Sequence, residues 1–250
     1  MKLLKRIGDS ILGKGIIDAF LSRQGKLTEG QRAVGQYDFV CTGPVEEFRA
    51  RYVALRDKLL DLGYEETLDE LARGDIASVS MMGLPVPHTE LWRDFLAIPI
   101  EQKWRDAVLN IVVTVGKNDM LDKYLAGSGY TAAFFLGLVS STSFSAYAAA
   151  DTMSSHAGWL EAGLANAPTY SQGTRPAPSF SAAAAGAKTT SSAVVFSITG
   201  AGTAKGGFLT TVSTKDGTTG ILFSASNFTG GDKVVGNGDT LNVSYTLTLT

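Results

Sequence analysis

One cysteine, Cys41, and two histidines, His88 and His156, are all that the 250 residues contain of the two side chains that most often hold zinc. A lone cysteine makes no internal disulfide, so the fold must rest on its core, and a thiol-poor chain suits a reducing compartment. Charge is scarce too: 18% of residues are Asp, Glu, Lys or Arg, and the net charge is −2. Without a basic surplus, the electrostatic footprint of a nucleic-acid binder is missing. No apolar run approaches the ~20 residues that a helix needs to cross a bilayer. Lys2, Lys5 and Arg6 precede apolar residues in the manner of a signal peptide, but Asp9, Lys14 and Asp18 interrupt the run. The expectation is no membrane insertion and no nucleic-acid partner.

The chemistry-bearing motifs are equally sparse. Gly8 to Gly15 nearly matches a phosphate-binding loop, but Gly15 stands where a hydroxyl must meet magnesium, and the residues ahead read as helix rather than buried strand. A zinc site would have to join Cys41 or carboxylates to two distant histidines with no ligand spacing. Ser154, Ser155 and His156 are neighbours in sequence only, and no nucleophile-elbow motif is present. Glu65, Glu66, Asp69, Glu70 and Asp75 fall at helical spacing, which makes them a solvated face. Asp232 and Asp239 lack the regular spacing of a calcium loop. No catalytic residue, metal or cofactor is assigned, and the chain reads as non-enzymatic.

What is present divides near Gly127. Residues 1–126 hold 17 of the 22 Lys and Arg and 19 of the 24 Asp and Glu, whereas the rest is rich in Ser, Thr, Gly and Ala. Charged helix formers give way to residues that suit strands and turns. The expected fold class is therefore α+β: a helical N-terminal part, then an antiparallel β-sandwich of jelly-roll or immunoglobulin type. The expected domains are an amphipathic arm at 1–24, a helical docking domain at 25–126 and the sandwich at 127–250.

In the arm, Leu3, Leu4, Ile7, Ile11, Ile16 and Phe20 recur at helical spacing, weakened by Gly8, Gly13 and Gly15. Residues 24–43 read as a loop. Thr42 or Gly43 can then cap a helix with Pro44 at its first position. Val45, Phe48, Tyr52, Leu55, Leu59 and Leu62 form one stripe, ended by Gly63. That stripe either faces a core or forms a seam between subunits. A short helix over 65–73, another inside the Pro85–Pro99 connector, an amphipathic helix over 100–115 (Trp104, Val108, Ile111, Val112 and Val115) stopped by Gly116, and a last one to Leu125 capped by Asn118 complete this half.

In the second half, Thr131 to Val139 reads as a strand buried on both faces. Val194, Phe196 and Ile198 alternate with polar or smaller residues, as do Leu241, Val243, Tyr245, Leu247 and Leu249. Phe208 to Val212, Ile221 to Phe223 and Val234 to Val235 are shorter strand candidates, and the turn sequences around Asp216, Gly230 and Gly238 lie between them. Residues 151–176 form a long segment carrying His156, Trp159, Tyr170 and Arg175, residue types that dominate interfaces. Either they meet a partner or Trp159 and Tyr170 lid the core.

Lys103-Trp104-Arg105, Val113 to Asp119, Leu121 to Gly127, Gly137 to Val139, Asp151 to Glu161, Tyr170, Arg175 and Gly238 to Tyr245 occur in an order that resembles tailed-bacteriophage virion structural proteins of the tail-fibre-like kind. The resemblance covers residues 103–250. It implies a particle component, folded in the bacterial cytoplasm and then built into the virion. It would be homo-oligomeric and docked on portal, adaptor, tail or capsid proteins. A tail or neck position as fibre or collar component is the first expectation. A capsid decoration protein is the second. An adhesin that stacks a host-surface glycan on Trp159 and Tyr170 is the third.

Overall fold

The structure, a computed structural model, describes residues 33–125 and 133–249. The arm residues Leu3, Leu4, Ile7, Ile11, Ile16 and Phe20 lie outside the described residues. Among the described residues, eleven strands and four helices follow one another as β1 (Ala33–Pro44), a 3₁₀ turn (Glu46–Phe48), α1 (Arg49–Asp61), α2 (Glu65–Arg73), α3 (Val86–Leu96), β2 (Ile100–Val112), α4 (Thr114–Leu125), β3 (Phe135–Ser140), β4 (Glu161–Ala162), β5 (Thr169–Tyr170), β6 (Ala187–Thr189), β7 (Val194–Gly200), β8 (Gly202–Thr210), β9 (Leu222–Asn227), β10 (Lys233–Val235) and β11 (Thr240–Leu249).

The strands make one antiparallel sheet in the order β4-β3-β8-β9-β2-β1-β11-β7-β5, with β10 added to β8 and β6 to β11. Gly163, next to β4, forms a bridge with Thr169 of β5, so the sheet curls back toward itself as a near-barrel. Its core gathers side chains from along the whole strand order: Leu136 and Leu138 of β3 near one end, Tyr37 and Phe39 of β1 and Leu241 and Tyr245 of β11 in the middle, and Phe196 and Ile198 of β7 near the other end. Each such side chain contributes roughly 1.5–3 kcal/mol by leaving water.

The helical part does not precede the sheet. β1 and β2 are antiparallel neighbours at the centre of the sheet, and Pro44 faces Ile100 across them. The helices α1 to α3 are an insertion between these two strands, and residues 33–250 form one compact unit. The composition break near Gly127 is thus no structural boundary, and the loop expected over 24–43 is replaced by strand from Ala33 onward. β1 buries Tyr37, Phe39 and Cys41 completely on one face. Burial, with Asp239 adding to it, pushes the Cys41 thiol up to about 12. Gly35 lies on the same face, and a Cβ there would collide with Asn110 and the Tyr245 hydroxyl.

The helix expected over 100–115 is also a strand. Trp104, Val108 and Val112 are four apart, a spacing that a helix and a strand both place on one face. The intervening inward positions are polar, Asp106 and Asn110, and that hid the alternation. Asn110 donates from Nδ2 to the Tyr245 hydroxyl (3.1 Å), and the Tyr37 hydroxyl meets Ser224 Oγ (2.8 Å). Burial raises both phenols, Tyr245 to about 12. Gly116 does not stop a helix; it lies inside α4, close against the backbone of Phe223. Pro44, expected to open a helix, ends β1 instead, and Val45 precedes the 3₁₀ turn.

Other expectations match the structure. The helix over 65–73, the helix inside the Pro-rich connector, the strand ending near Val139, and strands at Val194, Leu222 and Thr240 are all found. β3 is buried on both faces, as its apolar run requires. On its outer side, Val139, Phe208 and Ala225 are covered by Met153 and Trp159, with Phe144 and Tyr147 beside them. The segment between β3 and β4 therefore acts as a second layer over β3, β8 and β9.

Candidate functional site

Of the residues singled out in the long loop, Trp159, Tyr170 and Arg175 are buried and His156 is half-buried. Trp159 is fully buried, its ring stacked on His156 (centroids 4.0 Å apart) and tilted against Phe208 (5.1 Å). Its indole N–H donates to Asp151 Oδ2 (3.0 Å), and the same oxygen accepts from the Ala148 N–H (2.9 Å). His156 Nδ1 lies 3.1 Å from the Trp159 carbonyl oxygen. The imidazole thus belongs to the packing of this turn, and Ser154 bonds with Thr152 instead of with His156.

Arg175 is the second anchor. Its guanidinium makes a bidentate pair with Glu161, Nε to Oε1 at 2.8 Å and Nη2 to Oε2 at 2.6 Å. It also donates to the carbonyls of Val212 (2.8 Å) and Gly217 (3.2 Å). Glu161 further accepts from the Asp216 N–H (2.8 Å). Both side chains are almost wholly buried. A charge pair survives there only because nearly every donor and acceptor is matched. Tyr170 packs edge-on against Phe196 (5.0 Å). Burial, then the nearby Glu161, raises its phenol. The ammonium of Lys215 sits 3.7 Å over the Tyr170 ring and donates to the carbonyls of Gly163 and Tyr170, both at 3.1 Å. Burial lowers this lysine's pKa. Both side chains are buried, Trp159 in the layer over β3, β8 and β9 and Tyr170 in the core of the sheet. Neither ring offers a free face for stacking a sugar.

The helical stripe is turned inward except at its end, where Leu62 is exposed. Leu55 and Leu59 pack with Trp92, Phe95 and Ile98, with Phe48 and Tyr52 beside them, and Val45 is half-buried at the start. This small core contains none of the buried residues of the β body. The insert meets the β body through polar groups instead. Arg56 donates to the Ile198 carbonyl (3.0 Å) and Asn237 Oδ1 (3.1 Å). Arg49 donates to the Asn237 carbonyl (2.7 Å) and Asp239 (2.9 Å). Ser197 Oγ donates to Asp69 (3.3 Å), and Asn242 Nδ2 to the Ala72 carbonyl (3.0 Å). Sequence reading missed these arginines, because a helix pattern identifies the apolar face and is silent on what the opposite face grips.

A cleft of about 300 Å³ opens at this seam, lined by Asp69, Arg73 and Asp75 of the insert and by Gln172, Ala193, Val194 and Val195 of the β body. Burial raises the Asp69 carboxyl above its ordinary value, the Ser197 hydrogen bond and Arg73 acting the other way. Among the described residues, no three of His, Cys, Asp and Glu converge as metal ligands would. No helix among them is long and apolar enough to cross a membrane. No family model matches the chain, and no curated protein matches it.

Proposed function

We propose that this chain is a non-enzymatic structural protein of a tailed-bacteriophage particle, a tail- or neck-associated fibre or collar component that docks on other virion proteins through its helical insert. The carrying observation is the division of labour among side chains. Trp159, Tyr170, Arg175, Glu161 and Asp151 all hold loops against the β body. The insert leaves large apolar side chains in solvent, Met82 (93% exposed), Val86 (70%), Leu62 and Leu96, as do positions outside it such as Leu125, Leu164 and Val234. Where such side chains form a contiguous patch, they are the usual material of a protein interface. The resemblance of residues 103–250 to phage virion proteins supports the same reading. So does a curled antiparallel body, which in finer terms we take as a sandwich of jelly-roll or immunoglobulin type. Its partners would be portal, adaptor, tail or capsid proteins and further copies of itself. Its location would be the virion, after folding in the bacterial cytoplasm.

Electron microscopy of purified particles with this chain labelled tests the proposal. Label confined to one vertex is the expected result. Label spread over the shell would make the chain a capsid decoration protein instead. Its absence from purified particles would overturn the reading. Incubation of the purified chain with host envelope should release no product. A glycan adhesin is less favoured because the rings of Trp159 and Tyr170 are covered.

A further inference from the structure

The edge of β7 is interrupted. Alternate residues of β7 direct their backbone groups toward β11, as Ile198 does in accepting from Gly238 and donating to Asp239. The intervening residues face the other way. There Ser197 accepts from the Ser171 N–H, and its own N–H donates to the side chain of Gln172. Further back, Ser191 donates to the Ser179 carbonyl (2.8 Å). Between these two points the chain at 172–178 leaves the edge. Arg175 is drawn inward to Glu161, its own N–H donates to Ser213, and the Pro176 carbonyl accepts from Leu136. Pro176 and Pro178 have no N–H to offer a neighbouring strand. The backbone groups of Ala193 and Val195 that face this gap have no hydrogen-bond partner among the described residues.

This gap is the floor of the cleft at the seam. Its rim carries two carboxylates, Asp69 and Asp75, and one guanidinium, Arg73, which donates from Nε to Asp75 (2.5 Å). The rim is therefore acidic by one charge. A strand segment with unpaired backbone groups, half-exposed at Ala193 and buried at Val194 and Val195 in the floor of the cleft, lies beside a small acidic rim. We propose that Ala193–Val195 is a docking edge for an extended peptide segment of another protein, which adds a short strand to β7 and places a Lys or Arg side chain against Asp69 and Asp75. Backbone hydrogen bonds would supply affinity and the acidic rim would supply selectivity, as in other strand-addition complexes. The inference stands on the edge geometry and does not depend on the virion assignment.

A bead-displayed library of hexapeptides with alternating Val and randomised positions, screened against the full-length chain, tests this. Lys and Arg should be enriched over Asp and Glu at one randomised position by about five-fold, the effect of a single partly screened ion pair. The enrichment should vanish in the Asp69→Asn, Asp75→Asn double variant, whose folding is checked by its melting temperature. Resynthesised hits should shift the amide signals of Ala193 and Val195 in NMR spectra. They should lose binding when the one backbone amide facing Val195 is N-methylated. Absent enrichment, enrichment retained by the folded double variant, tolerance of N-methylation, or signals moved elsewhere would each overturn the proposal. So would N-acetylglucosamine shifting the same signals when the peptides do not.

Discussion

The helical insert at 45–99 and the loop segment at 141–176, which carries the short strands β4 and β5, both pack on the same sheet, and they are attached in opposite ways. The insert carries its own core around Leu59 and Trp92 and meets the sheet through arginines and a few side-chain hydrogen bonds. The loop layer contributes Met153, Trp159 and Tyr170 to cores built largely on strands, and it is pinned by a buried ion pair. A layer with its own core can loosen as a unit while the sheet persists. A layer that shares the sheet's core can move only if the sheet gives way.

The largest effect is expected in the loop layer. Glu161→Ala leaves the Arg175 guanidinium buried and unpaired, and should lower unfolding free energy by about 3–5 kcal/mol in urea titrations. A loss below about 1 kcal/mol would show that the loop layer is not integral to the sheet. Leu59→Ala, a cavity of comparable severity at about 2–5 kcal/mol, should behave differently. Hydrogen exchange should speed up across α1 to α3 while β11 amides and the labelling rate of the Cys41 thiol stay unchanged. Arg56→Ala, which removes charged hydrogen bonds across the seam, should cost about 1.5–3 kcal/mol. It should open the insert to limited proteolysis before the sheet. Arg51→Ala, which breaks a surface pair with Asp94 between two helices of the insert (3.4 Å), should change stability by less than about 1 kcal/mol.

Two aspartates sharpen the contrast through pH. For Asp106 in the sheet, burial alone would raise the carboxyl. The Thr229 hydroxyl (2.5 Å), the Gly230 N–H (3.0 Å) and Lys233 outweigh it and hold the pKa low. Its contribution is therefore present above the unfolded value of about 4 and lost as pH falls through the folded one. Asp106→Asn should flatten the acid limb of the stability curve. Asp69 at the seam is shifted the opposite way. Its contribution is present below about pH 4 and lost as pH rises through its higher folded value. Asp69→Asn should leave neutral-pH stability equal or higher, with the difference shrinking in acid.

The same two regions show what could be read from sequence. β11 was plain because ten residues alternate without interruption, and α1 because its apolar positions follow three-four spacing to Gly63, which adopts φ +84°. β1 alternates as well, with Tyr37, Phe39 and Cys41 inward, but Gly35 and Gly43 occupy the next inward positions and make the segment resemble a loop. β2 was disguised by inward Asp106 and Asn110, whose partners Thr229 and Tyr245 lie more than a hundred residues away. Local periodicity reports apolar faces. It does not report a polar side chain that is satisfied at long range. For the same reason His156, Trp159, Tyr170 and Arg175 could be picked out as unusual, while their inward roles depended on Asp151, Glu161, Phe208 and Lys215. The gap at Ala193–Val195 had no sequence signal beyond Pro176 and Pro178.

β1 lies between β2 and β11, paired with β11 from Ala33 to Thr42. As the polypeptide leaves the ribosome, Tyr37 and Phe39 emerge long before Leu241 and Tyr245 do. Until then β1 can be flanked on one side only, and its other edge must wait through the synthesis of two hundred residues. A nascent chain stalled short of Thr240 would hold that sticky flank open to any neighbour on the same polysome, so the yield of this protein should depend on how promptly translation finishes.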